Sequence, residues 1–251
     1  MLIKIVNPNT SASFTERARL VATQVAASGT TIVAGAPMSG AASVECHVDE
    51  ARAALGVIEE VASGEAQGVD AYVIACFGDT GVAAAREVAR GPVVGMTEAA
   101  LFAACLVAHR FSIITLPART RIHAQRVVNE IGLSVPGRCG PIRAIDVPVL
   151  FGEEEDQAVY DAILAEARKA IADDHAEAII LGCAGLAHFV DQLTETLGIP
   201  VIDGVGVAVK MAEALVVTGL RTSKASSFAY PRAGAPTDLP MSTEATTEVI
   251  K

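Results

Sequence analysis

Short apolar runs alternate with longer stretches of helical period along most of the chain. Leu2 to Val6, Thr31 to Ala34, Ala71 to Ala75, Val93 to Gly95, Phe111 to Thr115, Ile142 to Val147, Ala178 to Leu181 and Val201 to Asp203 are brief and rich in Val and Ile, the pattern of buried strands. Between them, Ala-rich segments such as Ser13 to Ala26 and Asp156 to Ala172 follow a helical pattern. A parallel partner strand is reached only through a crossover, so this alternation predicts an α/β fold with mainly parallel sheets. Towards the end the chain turns to Ser, Thr, Pro and Ala without apolar period ("RAGAPTDLPMSTEATTE"), and 229–251 is expected to be a loose tail without chemistry.

The runs also repeat. "IKIVNPN" has a partner in "FSIITLP", "YVIACFGDTG" in "AIILGCAGLA", and "GPVVGM" in "GIPVIDG"; Asn7 aligns with Thr115, Cys76 with Cys183 and Pro92 with Pro200, at separations of 108, 107 and 108. A nearly constant offset predicts two similar Rossmann-like lobes related by a pseudo-twofold axis. Residues 1–97 plus about 206–228 are expected to form the first lobe and 98–205 the second. Ligands of open parallel sheets collect outside the carboxyl ends of the strands, so the expected active site is the cleft between the lobes, reached by Asn7, Cys76, Thr115 and Cys183.

Composition narrows the partners. The 251 residues are half apolar, enough for a sizeable core, and carry a formal charge of -10 with only five lysines, Lys4, Lys169, Lys210, Lys224 and Lys251. No basic stripe is present to neutralise phosphates, which argues against nucleic acid and anionic membranes. Small molecules and copies of the chain itself are the expected partners, and the high apolar fraction points to a homo-oligomer. No basic leader precedes the first strand and every long apolar run is cut by Gly, Pro or charge, so a cytoplasmic location is expected. Five cysteines (Cys46, Cys76, Cys105, Cys139, Cys183) without a CxxC pair indicate neither a disulfide framework nor a zinc site. No lysine has the setting of a Schiff base, no His, Asp or Glu cluster has metal spacing, and "GDTG" is too weak for a nucleotide, so neither cofactor nor metal is expected.

The paired cysteines carry the chemistry. Each follows a strand and precedes Gly and small residues, where helix amides and the helix dipole are expected to favour a thiolate. Two such groups facing one carbon from opposite sides supply a base and an acid, the requirement for inverting a centre beside a carbonyl. Backbone N–H groups of the same turns can hold the enolate oxygen. A free cysteine is often just a buried small hydrophobe, but equivalent positions in two repeats favour the paired role over that reading.

These residues resemble the aspartate/glutamate racemase superfamily, and within it the hydantoin and allantoin racemases. The resemblance rests on "VNPNTS" (6–11), "ECHVDEA" (45–51), "ACFGDTG" (75–81), "GPVVGMTEAA" (91–100), "AEAIILGCAGLA" (176–187), "IPVIDGVGVAVKMAEAL" (199–215) and "GLRTSK" (219–224), nearly the whole chain except the tail. The Asp-Ser opening and the Asn-Thr or Thr-His pairs after each cysteine, associated with the amino-acid racemases, are absent. The resemblance implies a cofactor-independent racemase with Cys76 and Cys183 as catalytic acid and base. It puts Asn7, and with it Asn9, at the substrate, and makes Phe77, Gly78, Ala184 and Gly185 backbone donors, while Thr115 lines the cleft as the repeat equivalent of Asn7. A hydantoin ring needs donors and acceptors that match its own, which side-chain amides supply, and Pro8 stiffens the turn that aims them. Thr10 or Ser11 in the same turn is expected to cap the following helix.

Other residues carry two readings. Asp79 either caps the helix after Cys76 or contacts a ureido group; Glu45 and His47 are either a base pair or, as the commoner case, a helix start; His188 reads as a helix residue and Cys105 as core. Cys46 and Cys139 have no repeat equivalents. No Lys or Arg neighbours the cysteine turns in sequence, which favours a neutral cyclic diamide, allantoin above all, over a charged amino acid. The enzyme alternatives in the same fold are an aspartate or glutamate racemase, a maleate cis-trans isomerase and an arylmalonate decarboxylase. A two-lobed binding protein is the non-catalytic alternative.

Overall fold

The computed structural model describes residues 1–131 and 137–232. Most of the expected tail therefore lies outside the described residues. The strands are β1 (Leu2–Val6), β2 (Thr31–Gly35), β3 (Ala71–Ile74), β4 (Val93–Gly95), β5 (Phe111–Thr115), β6 (Arg143–Ala144), β7 (Ala178–Leu181) and β8 (Val201–Asp203). The helices are α1 (Ala12–Val25), α2 (His47–Ala66), α3 (Val82–Val88), α4 (Met96–Val107), α5 (Arg121–Glu130), α6 (Asp156–Asp174), α7 (Val190–Leu197) and α8 (Gly204–Val217). No helix among the described residues is long and apolar enough to cross a membrane.

Two parallel four-stranded sheets result, ordered β2-β1-β3-β4 and β6-β5-β7-β8. The order is the same, and so is the register. Val6 pairs with Ile74 as Ile114 pairs with Leu181, and Ile74 pairs with Gly95 as Leu181 pairs with Asp203. The central strands of both sheets are apolar at nearly every position because helices cover both faces.

Each sheet has its own core. Ile3, Ile5, Ala71 and Val73 pack against Ala18 and Ala22 of α1 and against Val205, Ala208, Val209 and Ala212 of α8, so the last helix returns to the first sheet. Ile114, Ile179 and Leu181 pack against Val159, Ile163 and Ala167 of α6. The chain beyond α8 stays on the first sheet's side, where Thr222 Oγ1 donates to the Gly91 carbonyl and Lys224 Nζ to those of Arg86 and Glu87. Helix α4 joins the two halves: Met96 and Ala99 belong to the first core, and Ala100, Leu101 and Ala104 to a cluster with Phe111, Ile113 and Val127.

The strand expected over Ile142 to Val147 shrinks to Arg143–Ala144. Val147 N donates to Ile145 O in a tight turn, and Pro141 and Pro148 bracket the segment without donors, so an edge strand cannot extend. Asp79 is also corrected. Its carboxylate does not cap α3, whose N-cap is Gly81, but reaches α4, accepting from Thr97 N at 2.8 Å and Glu98 N at 2.9 Å. It does so with φ at 52°, a left-handed conformation that Asp and Asn tolerate and Ala resists. Asp79→Ala therefore loses a cap and gains backbone strain, and is expected to cost about 1–2 kcal/mol in urea unfolding, with Asp79→Asn costing less because it keeps one acceptor and the left-handed turn. Equal unfolding midpoints for the two variants would contradict this role.

Candidate active site

The site begins where four central strands end. β1 runs into Asn7, β3 into Cys76, β7 into Cys183, and β5 ends at Thr115. Asn7, Asn9, Cys76, Phe77, Thr115, Cys183 and Ala184 line one cavity together with Phe14, Val44, Leu116, Thr120, Val149 and Gly182. Seven of the residues singled out in sequence thus meet; Gly78, Asp79 and Gly185 flank the cavity without lining it. Val44, Thr120 and Val149 had no repeat or motif of their own to reveal them.

Asn7 is buried, and its amide nitrogen is spent inside its own turn. Nδ2 donates to Asn9 Oδ1 at 2.8 Å, to Thr15 Oγ1 at 3.0 Å and to the Ser11 carbonyl at 3.2 Å. A carbonyl only accepts, so this end of Asn7 must be the nitrogen. Asn9 Oδ1 then accepts from Asn7 and from Ser11 N, which leaves Asn9 Nδ2 as the turn's free amide donor. The Asn7 amide is therefore engaged within the protein, and the open N–H group of the turn belongs to Asn9. Ser11 caps α1 as expected, accepting from Phe14 N.

Thr115 is buried and hydrogen-bonded to its surroundings. Its hydroxyl lies 2.9 Å from Thr120 Oγ1 and 3.3 Å from the Gly182 carbonyl. Since Thr120 Oγ1 donates to Pro117 O, the Thr115 proton stays within this network and its lone pairs are not claimed by it.

The backbone donors divide in pairs. Gly78 N donates to Thr97 Oγ1 at 2.7 Å and is not open to a ligand, whereas Gly185 N favours the thiolate of Cys183. The amides of Phe77 and Ala184, each directly after its cysteine, have no protein acceptor among the described residues. Gly78 is required for another reason: its φ is +116°, and a Cβ there would lie 2.9 Å from His123 Cβ.

Electrostatics departs from the sequence argument. Burial pushes the Cys76 thiol up to about 12, with the charge of Cys183 adding and a contact to Thr80 Oγ1 at 3.5 Å subtracting. Burial pushes Cys183 up to about 11 against the Gly185 N–H and the charge of Arg17. Helix dipoles do not prevail because α3 starts only at Val82 and a 3-10 segment, Ala184–Phe189, follows Cys183. Two arginines do approach the turns: Arg126 Nη2 donates to the Gly78 carbonyl at 2.8 Å, and Arg17 acts on Cys183. Neither lines the cavity, where the two cysteines are the only ionisable side chains among the described residues.

The remaining candidates have other places. Glu45 is no partner of His47: it accepts from Ser43 Oγ and, across the cleft, from Val149 N, which closes the cavity over Val44. His47 starts α2, and Cys46, its N-cap residue, donates its thiol to Asp49. Cys105 and Cys139 pack against the core beneath β5. His188 stacks on Phe189, 3.5 Å from Asp156, in an outer groove of about 1210 Å³ that Ala184 and Gly185 reach but neither cysteine does. Among the described residues His47, Glu50 and His123 converge with ligand atoms within 4.8 Å, a grouping hidden in sequence because His123 comes from the other half of the chain.

The profile of the Asp/Glu/Hydantoin racemase family matches residues 3–212. The hydantoin racemase of Rhizobium meliloti is 47% identical over 232 residues, 92% of this chain and 95% of that one. The allantoin racemase of Klebsiella pneumoniae superposes with a TM-score of 0.89 at 46% identity, covering 92% and 94% of the two chains. That of Pseudomonas fluorescens superposes at 0.88 with 40% identity, covering 92% and 97%.

Alkylation by iodoacetamide, mapped by peptide mass spectrometry, tests the two thiols. Below its pKa a thiol gains thiolate about tenfold per pH unit, so labelling of Cys76 and Cys183 is expected to keep climbing with that slope from pH 7 to pH 10. A plateau by pH 8 would mean that the turn amides outweigh burial.

Proposed function

The chain belongs to the Asp/Glu/Hydantoin racemase family and is an isomerase of the racemase type, and on that premise we propose that its substrates are 5-substituted hydantoins, with allantoin the leading candidate. One observation carries the choice. The cavity between Cys76 and Cys183 is lined by amides, hydroxyls and apolar groups, with no charged side chain among the described residues to answer an α-ammonium or a free carboxylate. A neutral cyclic diamide loses little on entering it, whereas glutamate or maleate would leave charges unpaired. Two solved structures that superpose on 92% of the chain at 40% identity or more are named allantoin racemases, which supports the specific candidate.

In the proposed reaction one thiol enters as thiolate and removes the proton from ring C5, while the opposite thiol delivers its proton to the other face. The first cysteine ends as thiol and the second as thiolate, so the reverse enantiomer is handled by the same pair with roles exchanged. Burial makes thiolates scarce near neutral pH, but the same burial makes each one a stronger base towards a carbon acid. Negative charge that develops on the ring carbonyl is met by the free amides of Phe77 and Ala184, each worth roughly 10²–10³ in rate if it acts as an oxyanion donor. Asn9 Nδ2 donates to the second carbonyl, and Asn7 holds Asn9 in place.

Polarimetry on enantiopure allantoin, a 5-alkylhydantoin and L-glutamate tests the proposal. Rotation of at least one hydantoin is expected to decay while glutamate stays unchanged, and Cys76→Ser and Cys183→Ser are each expected to slow racemisation about 10²-fold or more. Racemisation of glutamate with both hydantoins untouched would overturn the substrate class, and a fully active serine variant would overturn the two-thiol mechanism.

A further inference from the structure

We propose that His47, Glu50 and His123 bind one divalent transition-metal ion, of the zinc or cobalt kind, on the outer side of the Cys76 turn. His47 and Glu50 lie three positions apart on α2, and His123 comes from α5. Glu50 Oε2 is 3.5 Å from His47 Nδ1 and 3.3 Å from His123 Nδ1, and the ligand atoms of all three lie within 4.8 Å of one another. A tetrahedral zinc with bonds of about 2.0–2.1 Å has ligand-to-ligand edges of about 3.3 Å, so two of the three edges already have the right length. Two imidazoles and one carboxylate leave a fourth position for water, a donor set suited to these ions.

A second observation points the same way. The His123 side chain is 5% exposed, and among the described residues neither ring nitrogen has a hydrogen-bond partner of good geometry, Nδ1 only facing Glu50 Oε2 at 3.3 Å. An imidazole buried with both nitrogens unmet is costly, and an ion at Nδ1 answers the one that faces Glu50. His47, whose side chain is 73% exposed, opens the site to solvent and gives the ion a path in. Arg126 supplies the outer layer, its guanidinium donating to both oxygens of Glu50 and holding that carboxylate in orientation, as outer partners of metal ligands do. Its own charge is shared with Glu130 at 3.7 Å, so it does not face the site alone.

The ion would clamp α2 of the first half to α5 of the second. Arg126 on the same helix also bonds the Gly78 carbonyl, and His123 packs on Gly78, two residues past Cys76. Occupancy is thereby tied to the placement of that turn, independently of which substrate the cavity takes.

Cobalt(II) titration of the metal-stripped full-length protein, followed by visible and near-ultraviolet absorption, tests the site. One ion per chain is expected, with ligand-field bands and no thiolate-to-cobalt charge-transfer band. Binding should persist in Cys76→Ser and Cys183→Ser and weaken at least about tenfold in His47→Ala and His123→Gln, the loss caused even by removing an outer partner of a metal site. His47 is exposed, so its variant keeps the test valid should the buried His123→Gln fail to fold. Absence of saturable binding, undiminished binding in His47→Ala, or a charge-transfer band that disappears in Cys76→Ser would each overturn the proposal, the last by placing the ion on the thiols.

Discussion

A thiol withdrawn from water ionises only where some charge or dipole replaces the solvent, and among the described residues the cavity between Cys76 and Cys183 offers no charged side chain for that purpose. Both thiols are pushed up by burial, and the polar groups left to a ligand are amides and hydroxyls: Phe77 N, Ala184 N, Asn9 Nδ2 and a lone pair on Thr115. The surrounding structure keeps it so. Arg126 is drawn to Glu50 and the back of the Cys76 turn, and Asp79 is turned away to hold the start of α4. Charges close enough to stiffen the turns are thus kept out of the space between the thiols.

Duplication explains how two stretches far apart in the chain arrive there together. Because strand order and register are shared, the positions after β3 and β7 are equivalent, and each contributes a thiol and the free amide that follows it. The halves differ where a specific job intrudes. After β1 the chain needs a side-chain amide to organise the "NPNTS" turn, and Asn7 spends its nitrogen there; after β5 the equivalent Thr115 needs only a hydroxyl braced on Thr120 and Gly182. Gly182 stands where the first half has Ala75, because a Cβ at 182 would lie 2.9 Å from the Thr115 backbone.

Periodic and repeated features were legible in the sequence, and features that depend on one side chain meeting another from afar were not. The central strands and the pairing of Cys76 with Cys183 follow from local apolar runs and a constant offset. The edge at 142–147 misled because an apolar run says nothing about the turn at Val147 or the missing partner beyond it. Asp79 and Gly78 were misread for a common reason: Thr97 and Glu98, eighteen or more positions away, engage the Asp79 carboxylate and the Gly78 amide. His123 was missed altogether, since its neighbours Glu50 and Gly78 belong to the other half of the chain.

The proposed transfer between two thiols on opposite faces would leave an isotopic signature that one base cannot. In deuterated water, starting from a single hydantoin enantiomer and stopping at partial conversion, mass spectrometry of the separated enantiomers reads the C5 hydrogen of each. Two-thiol transfer predicts deuterium in the newly formed enantiomer while the remaining starting enantiomer still carries protium. Equal deuterium in both from the earliest times would mean a single base serving both faces, and would contradict the assignment of Cys76 and Cys183 as an opposed acid and base.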